Sequence, residues 1–286
     1  MPDEIRIRPS SLTGWLDCPR RAAASLFRGM VVNAGFELRE LPRNVGAAIG
    51  TSVHKGAWYT LTEKMTHGGL GTEEQAIDYG VTAFRDEIVD GVIWDATSHN
   101  PNDADKHIIR MTKMHRAKVA PDITPMAVEE RLEAKIGRVV VSGQKDVLAR
   151  EPNDLRDLKT GAGKAAHTAQ IGAYSLIERS HGREVNRLIE DFIPRVSLKR
   201  PQPLPLKYEY AVGVAENLAF ETIEAITAAV EEFERRIETG DRPPENAFQP
   251  NPMSMLCGDK FCPAFGTKFC QVHKMDPIEQ PEEEDF

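Results

Sequence analysis

The stretch NDLRDLKTG, residues 153–161, is the feature that most constrains the fold. Leu155, Asp157 and Lys159 recur at every second position, the period of side chains on one face of a β-strand. An apolar residue, a carboxylate and an ammonium therefore project together from a half-buried strand. The plain reading is an exposed ion pair, which contributes less than about 1 kcal/mol. The sharper reading is a metal site, and it depends on what else the chain brings to this strand.

Two strand-like runs precede it, AVEERLEAKIG and RVVVSGQKDVLAR, and the three together predict an antiparallel meander. The second run places Asp146 after its apolar residues, with Gly143 three positions earlier. Asp146, Asp157 and Lys159 then stand in the spacing D-x(10)-D-x-K on adjacent strands. Two carboxylates brought together repel and bind protons more tightly unless a cation lies between them. Mg²⁺ or Mn²⁺ suits such oxygen ligands. Either ion polarises a phosphate oxygen and acidifies a bound water, and Lys159 could orient that water or steady developing negative charge.

Other residues can join this group. GTSVHKG puts His54 near the start of a helix after small residues, and imidazole can complete a carboxylate metal shell. Thr160 and Gly161 form a turn that leads to a helix carrying Gln170 and Tyr174, four apart on one face. Their polar tips could reach a phosphate or a metal-bound water. Glu130 interrupts the otherwise apolar face Val128, Leu132, Ala134 and Ile136. It either supports the metal site or a second ion, or reaches solvent as an edge residue, and the sequence leaves both open.

Periodicity elsewhere predicts mainly helices. Residues 9–29 read as one helix capped by Ser10 or Ser11. TSVHKGAWYTLTEKM predicts a helix from Thr51 or Ser52, broken at Gly68. Thr72 and Gln75 form a capping box for the next, and DADKHIIRMTKMHRAKVAP predicts another, stopped by Pro121. After the three strand runs come a helix over KAAHTAQIGAYSLIERS and strands at NRLIEDFIPRVS and PLKYEYAVGV. A long amphipathic helix from Asn217 then ends at Gly240. The layout is α/β (α+β), one mixed sheet flanked by helices with a helical N-terminal part. No linker stands out, so residues 1–275 read as one domain, with a helical region at 51–121 and a core at 126–240. The acidic run DPIEQPEEEDF, residues 276–286, reads as a disordered tail.

The formal charge of −8 argues against a nucleic-acid partner until its distribution is considered. The tail holds six acidic residues and no Lys or Arg, which leaves about −2 for the rest. Clustering then matters more than the sum. Lys106, Arg110 and Lys113 form a basic stripe at i, i+4, i+7 on one helix, and Arg20 and Arg21 lie near the first cysteine. Arg195, Lys199, Arg200 and Lys207 surround a proline-rich loop. Such residues could follow a phosphate backbone, although a solvated helix face is the plainer reading. No run is long and apolar enough to span a bilayer and no apolar signal core opens the chain, so a cytoplasmic location is expected.

Taken in order, G-x-x-x-H, G-x-x-D, D-x-K-T-G and Q-x-x-x-Y resemble the RecB-type branch of the PD-(D/E)XK nucleases. That branch includes the RecB and AddB nuclease domains and the CRISPR-associated RecB-like exonucleases. The matching residues are Gly50, His54, Gly143, Asp146, Asp157, Lys159, Thr160, Gly161, Gln170 and Tyr174. The resemblance implies a restriction-endonuclease-like core and a metal held by His54, Asp146, Asp157 and a backbone carbonyl, here that of Leu158, with Lys159 assisting. It implies a Mg²⁺- or Mn²⁺-dependent deoxyribonuclease, with single-stranded or end-containing DNA as substrate. Recombination or repair partners, or a homo-oligomer, would accompany it. A structure-selective endonuclease and a catalytically silent DNA-binding scaffold are the alternatives.

The chain has four cysteines, Cys18, Cys257, Cys262 and Cys270. Disulfides are not expected in a reducing compartment, and four thiols can be four ligands of one centre. One early and three late cysteines also resemble the AddB-like and CRISPR-associated nucleases, where such a set holds a 4Fe–4S cluster. The cluster would staple the first helix to the segment 257–270. Zn²⁺ bound by the same four, or with His273, is the competing assignment.

Overall fold

The computed structural model describes residues 4–150 and 153–272. The expected acidic tail at 276–286, and His273, lie outside the described residues. The chain groups into two compact units. One comprises the chain up to Thr13 together with Pro42–Ala228, and the other Gly14–Leu41 together with the chain from Ala229 on.

The predicted helix over 9–29 is divided into α1 (Pro9–Asp17), α2 (Pro19–Leu26) and α3 (Arg28–Asn33). Proline at the first position of α2 has no N–H to continue α1, and the Cys18 sulfur accepts the Arg21 amide as a cap. A strand β1 (Ile5–Ile7), which the sequence reading did not include, precedes these helices.

In the first unit, α4 (Val45–His67) starts two turns before the predicted Thr51, because Asn44 caps it by accepting the Gly46 amide. It ends where predicted, at Gly68 in the left-handed region. Around it lie α5 (Glu73–Glu87), opened by Thr72, and α6 (Pro101–Lys118), opened by Asn100. A two-residue strand β2 (Arg43–Asn44) pairs in parallel with β3 (Val92–Ile93). Val45, Ile49, Val53, Phe84, Ile108 and Met111 pack into one core that also takes in Val147, Leu158 and Ile193 from the strands.

The strand runs divide further than predicted. AVEERLEAKIG becomes β4 (Pro125–Val128) and β5 (Arg131–Ile136), and RVVVSGQKDVLAR becomes β6 (Val139–Gln144) and β7 (Val147–Ala149). The breaks face each other, Glu129–Glu130 against Lys145–Asp146, joined by Glu129 N–H to Asp146 O at 2.9 Å and Lys145 N–H to Glu130 O at 3.3 Å. The single mixed sheet expected is therefore two. One has the order β1-β6-β5. The other follows from β8 (Asp154–Gly161), β9 (Arg187–Pro194) and β10 (Leu206–Tyr210), in the order β10-β9-β8-β7-β4. Both are mixed, because β1–β6 and β8–β9 pair in parallel and the other neighbours are antiparallel.

The β8–β9 crossover runs through α7 (Thr168–Ser180), as parallel pairing demands. Leu148, Leu155, Ile171 and Leu188 bury the contact between α7 and the sheet. After β10 the chain enters α8 (Val212–Thr239), five residues before the predicted start.

In the second unit the core is aromatic. Phe233 and Phe269 lie against Phe248, Trp15 meets it edge-on, and Phe36 meets Phe269. Among the described residues no helix is long and apolar enough to cross a membrane.

Candidate active site

His54, Asp146, Asp157 and Lys159 come together in the first unit. His54 lies in the third turn of α4, and its Nδ1 is 3.1 Å from Asp146 Oδ1. Asp146 sits in the break between β6 and β7, opposite Glu129, and its second oxygen accepts the Leu158 amide at 2.6 Å. Asp157 on β8 is 4% exposed. Lys159, two residues on and on the same face, brings its Nζ to 2.6 Å from Asp157 Oδ2. That short ion pair sets the ammonium directly against the buried carboxylate.

The glycines of the pattern have a packing reason. A Cβ on Gly143 would stand 2.7 Å from both Pro9 Cδ and Tyr174 Cε1, so only glycine lets the Tyr174 ring lie against β6. A Cβ on Gly50 would stand 3.1 Å from Thr160 Oγ1, so glycine there brings the His54 helix close to the end of β8. Gln170 is buried one turn before Tyr174 on α7. Burial and the charges of Asp157 and Asp146 push the Tyr174 hydroxyl well above its ordinary pKa, so it remains a proton donor.

The electrostatics separate the two carboxylates. Burial alone would raise Asp146, but His54, Lys159 and the Leu158 amide hold it below the usual range. Asp157 is raised, first by burial and then by Asp146, against the pull of Lys159. Burial would lower His54 and Lys159, yet the acids beside them raise both. A buried acid pushed upward by a second acid marks a place where positive charge is wanted. Among the described residues no three His, Cys, Asp or Glu side chains stand in a ready-made coordination shell.

Glu130 does not join this group. It accepts from Lys145 at 2.5 Å and from the Arg183 guanidinium, which hold its carboxyl down to about 2. Its neighbour Glu129 faces the cleft instead, held by Lys55 at 2.7 Å and Gln144 at 2.8 Å. Glu129 has φ of 45°, which resets the strand alternation on which the choice of Glu130 rested. The open cleft there measures about 650 Å³, and Ser10, Gly46, Lys55, Glu129 and Gln144 line it beside His54, Asp146 and Lys159. Lys55, Glu129 and Gln144 escaped the sequence reading, because their role depends on that one backbone irregularity.

The expected basic stripe lies outside this lining. Arg110 donates to the carbonyls of Val196, Ser197 and Arg200, Lys113 pairs with Glu73 at 2.7 Å, and Lys106 stands 3.8 Å from Asp103. Arg195 is bound to Asp95 at 2.6 Å rather than free in a loop. In the second unit, Arg20 is buried against the Phe248 carbonyl and Asn246, and Arg21 pairs with Asp17 at 2.6 Å.

In that second unit Cys18, Cys257, Cys262 and Cys270 line one pocket. The Cys18 sulfur accepts from two backbone amides, Arg21 at 3.5 Å and Asn251 at 3.3 Å. Burial, then the other thiols, push the Cys257 thiol up, and burial does the same at Cys262.

No protein-family model and no curated protein matches this chain. Among solved structures, a "Putative exonuclease" from Eubacterium rectale superimposes with a TM-score of 0.51 at 11% identity, over 89% of this chain and 88% of its own. The two share a mixed α/β fold. A second protein, SSO0001, is 14% identical over 78% of this chain and 77% of its own, but its TM-score of 0.32 carries no argument.

Proposed function

We propose that this chain is a divalent-metal-dependent nuclease that hydrolyses phosphodiester bonds of DNA, working from ends as an exonuclease of the RecB-like type. The observation that supports it most is the meeting of His54, from α4, with Asp146 and the Asp157–Lys159 pair, some ninety to a hundred residues further along the chain. The fold shared with the Eubacterium rectale protein is compatible with it.

The residues fit Mg²⁺ or Mn²⁺. A buried carboxylate, Asp157, a half-buried one, Asp146, and the His54 imidazole form the donor set, and the proximity of the two acids raises the Asp157 pKa. His54, Asp146, Asp157 and the Leu158 carbonyl would hold the ion. When bound, it supplies Lewis acidity at a phosphoryl oxygen and acidifies a water.

The chain's own groups do the rest. The Leu158 amide and His54 fix the Asp146 carboxylate from two sides. Lys159 remains an ammonium, because the acids around it raise its pKa, and it sets positive charge where the pentavalent phosphate gains negative charge. Tyr174 lies against Gly143 of β6, and the charges of Asp157 and Asp146 keep its hydroxyl protonated. Lys55 anchors Glu129, which keeps the cleft wall beside Asp146 in place.

The four cysteines line one pocket, and this gathering of four thiols supports a thiophilic centre there. We assign them to a 4Fe–4S cluster, with Zn²⁺ as the alternative, and elemental analysis with the visible spectrum distinguishes a brown iron–sulfur protein from a colourless zinc one.

The nuclease reading is tested by incubating linear and circular single-stranded DNA with the protein and Mn²⁺. Degradation of the linear strand alone, abolished by EDTA and by Lys159→Ala, is expected. Cutting of the circle would make it an endonuclease. Activity that survives both EDTA and Lys159→Ala would remove the assignment.

A further inference from the structure

The sheet register carries the catalytic rows outward to an edge. Asp157 on β8 pairs with Glu190 on β9, and Glu190 pairs with Tyr208 on β10. One row along, Lys159 pairs with Phe192, and Phe192 with Leu206. Residues paired in register share a face, so Tyr208 and Leu206 lie on the face that carries Asp157 and Lys159. Two strand spacings separate them, about 10 Å. Leu206 is 47% exposed on this edge strand, and Tyr208 is half-buried.

The same place holds a cation over an aromatic ring. Lys164 Nζ lies 4.3 Å from the Tyr208 ring centroid, and it donates to Tyr210 Oη at 2.9 Å. Beneath it, Glu190 is wholly buried and accepts from Tyr210 Oη at 2.7 Å and pairs with His167 Nδ1 at 3.0 Å. This buried carboxylate fixes both ends of the arrangement, the edge strand and the start of α7. Lys164 itself sits in the exposed loop 162–166, where Gly163 has open space around it. Its Nζ also stands 3.5 Å from Glu190 Oε1, so a phosphate arriving at this edge would share the ammonium with that buried carboxylate.

Ring face, ammonium and exposed leucine, in register with the reacting groups, are the parts a nucleotide needs. A base stacks on an aromatic face and a phosphate pairs with a cation. We propose that Tyr208, Lys164 and Leu206 form a nucleotide subsite, in which an unpaired base beside the scissile phosphate stacks on Tyr208 and its phosphate pairs with Lys164. Glu190 and His167 are positioning residues for it. The inference rests on the nuclease reading of the neighbouring site.

The test uses the full chain and a fluorescein-labelled single-stranded oligonucleotide of mixed sequence. Anisotropy in EDTA gives Kd, and digestion in Mn²⁺ gives kcat and KM. Tyr208→Ala is expected to weaken binding by about fivefold to a hundredfold, the range for losing one stacked base. Tyr208→Phe should bind like the parent. Tyr208→Leu, which keeps apolar cover for folding but no flat face, should behave like Tyr208→Ala. Lys164→Ala should reduce the magnitude of the slope of log Kd against log salt by about 0.7, the value for one phosphate contact on a single strand. In Tyr208→Ala, Tyr208→Leu and Lys164→Ala KM should rise with kcat unchanged, and Tyr208→Phe should keep both.

If the parent digests DNA while Tyr208→Leu and Lys164→Ala match it in Kd, salt slope and KM, the subsite is refuted and the nuclease reading stands. If the parent neither binds nor digests DNA, the nuclease reading fails and the subsite with it.

Discussion

Replacing Lys145 by methionine removes a charge from the interior beside the candidate site. Lys145 is 2% exposed, with Nζ 2.5 Å from Glu130 and 2.7 Å from Glu178. Glu178 is equally buried, and it lies on α7 one turn beyond Tyr174. Without the ammonium, Glu178 keeps only Arg183, at 3.3 Å. Breaking a buried pair by removing one partner costs about 3–5 kcal/mol. Glu130 is about a third exposed and keeps Arg183, so the loss should lie near the lower figure, about 3 kcal/mol. At roughly 2–4 °C per kcal/mol for a large domain, the melting temperature should fall by about 6–12 °C. Urea denaturation followed by circular dichroism measures the difference directly. The double variant Lys145→Met with Glu178→Met removes both charges and should recover most of the loss. A single variant within about 1 kcal/mol of the parent would refute the view that this network holds α7 against the Asp146 turn.

Two further variants probe the packing and the charge around the site. Gly143→Ala forces a Cβ against Pro9 and Tyr174, so thermal melts should show a destabilisation of about 1–3 kcal/mol, with reduced activity. Asp95 is held well below its usual pKa. Burial would raise it, but Arg195 and Thr97 outweigh that. The unfolded chain therefore takes up this proton first, and stability present above pH 4 falls as pH drops further, by at most about 1.4 kcal/mol per unit. Asp95→Asn should be less stable at pH 7 and flatter in this acid range. Parallel curves for the two proteins would contradict the assignment.

The strands around Asp157 were legible because a two-residue alternation of apolar and charged residues survives local inspection. Gly50 and Gly143 were legible as positions, and the structure adds that Thr160 and Tyr174 occupy the space a side chain would need. What the alternation could not reveal was its own interruption. Glu129 takes a left-handed backbone, so the face assigned by counting from Val128 is wrong beyond that point, and Glu130 turns to Lys145 and Arg183. The start of α4 was hidden for a different reason. Val45–Gly50 carries two glycines, and its helicity rests on the Asn44 cap and tertiary burial of Val45, Ala48 and Ile49. The carbonyls that Arg110 donates to lie 86–90 residues away, beyond any local pattern.

A nuclease site here requires His54 to act together with acids far along the chain. The most direct measurement is the cleavage rate of end-labelled single-stranded DNA against Mn²⁺ concentration, for the parent and for His54→Ala. A saturable, metal-dependent rate is expected in the parent, and in His54→Ala a loss of at least about a hundredfold with the metal requirement displaced upward. Equal rates in both proteins, or a rate indifferent to Mn²⁺, would contradict that expectation.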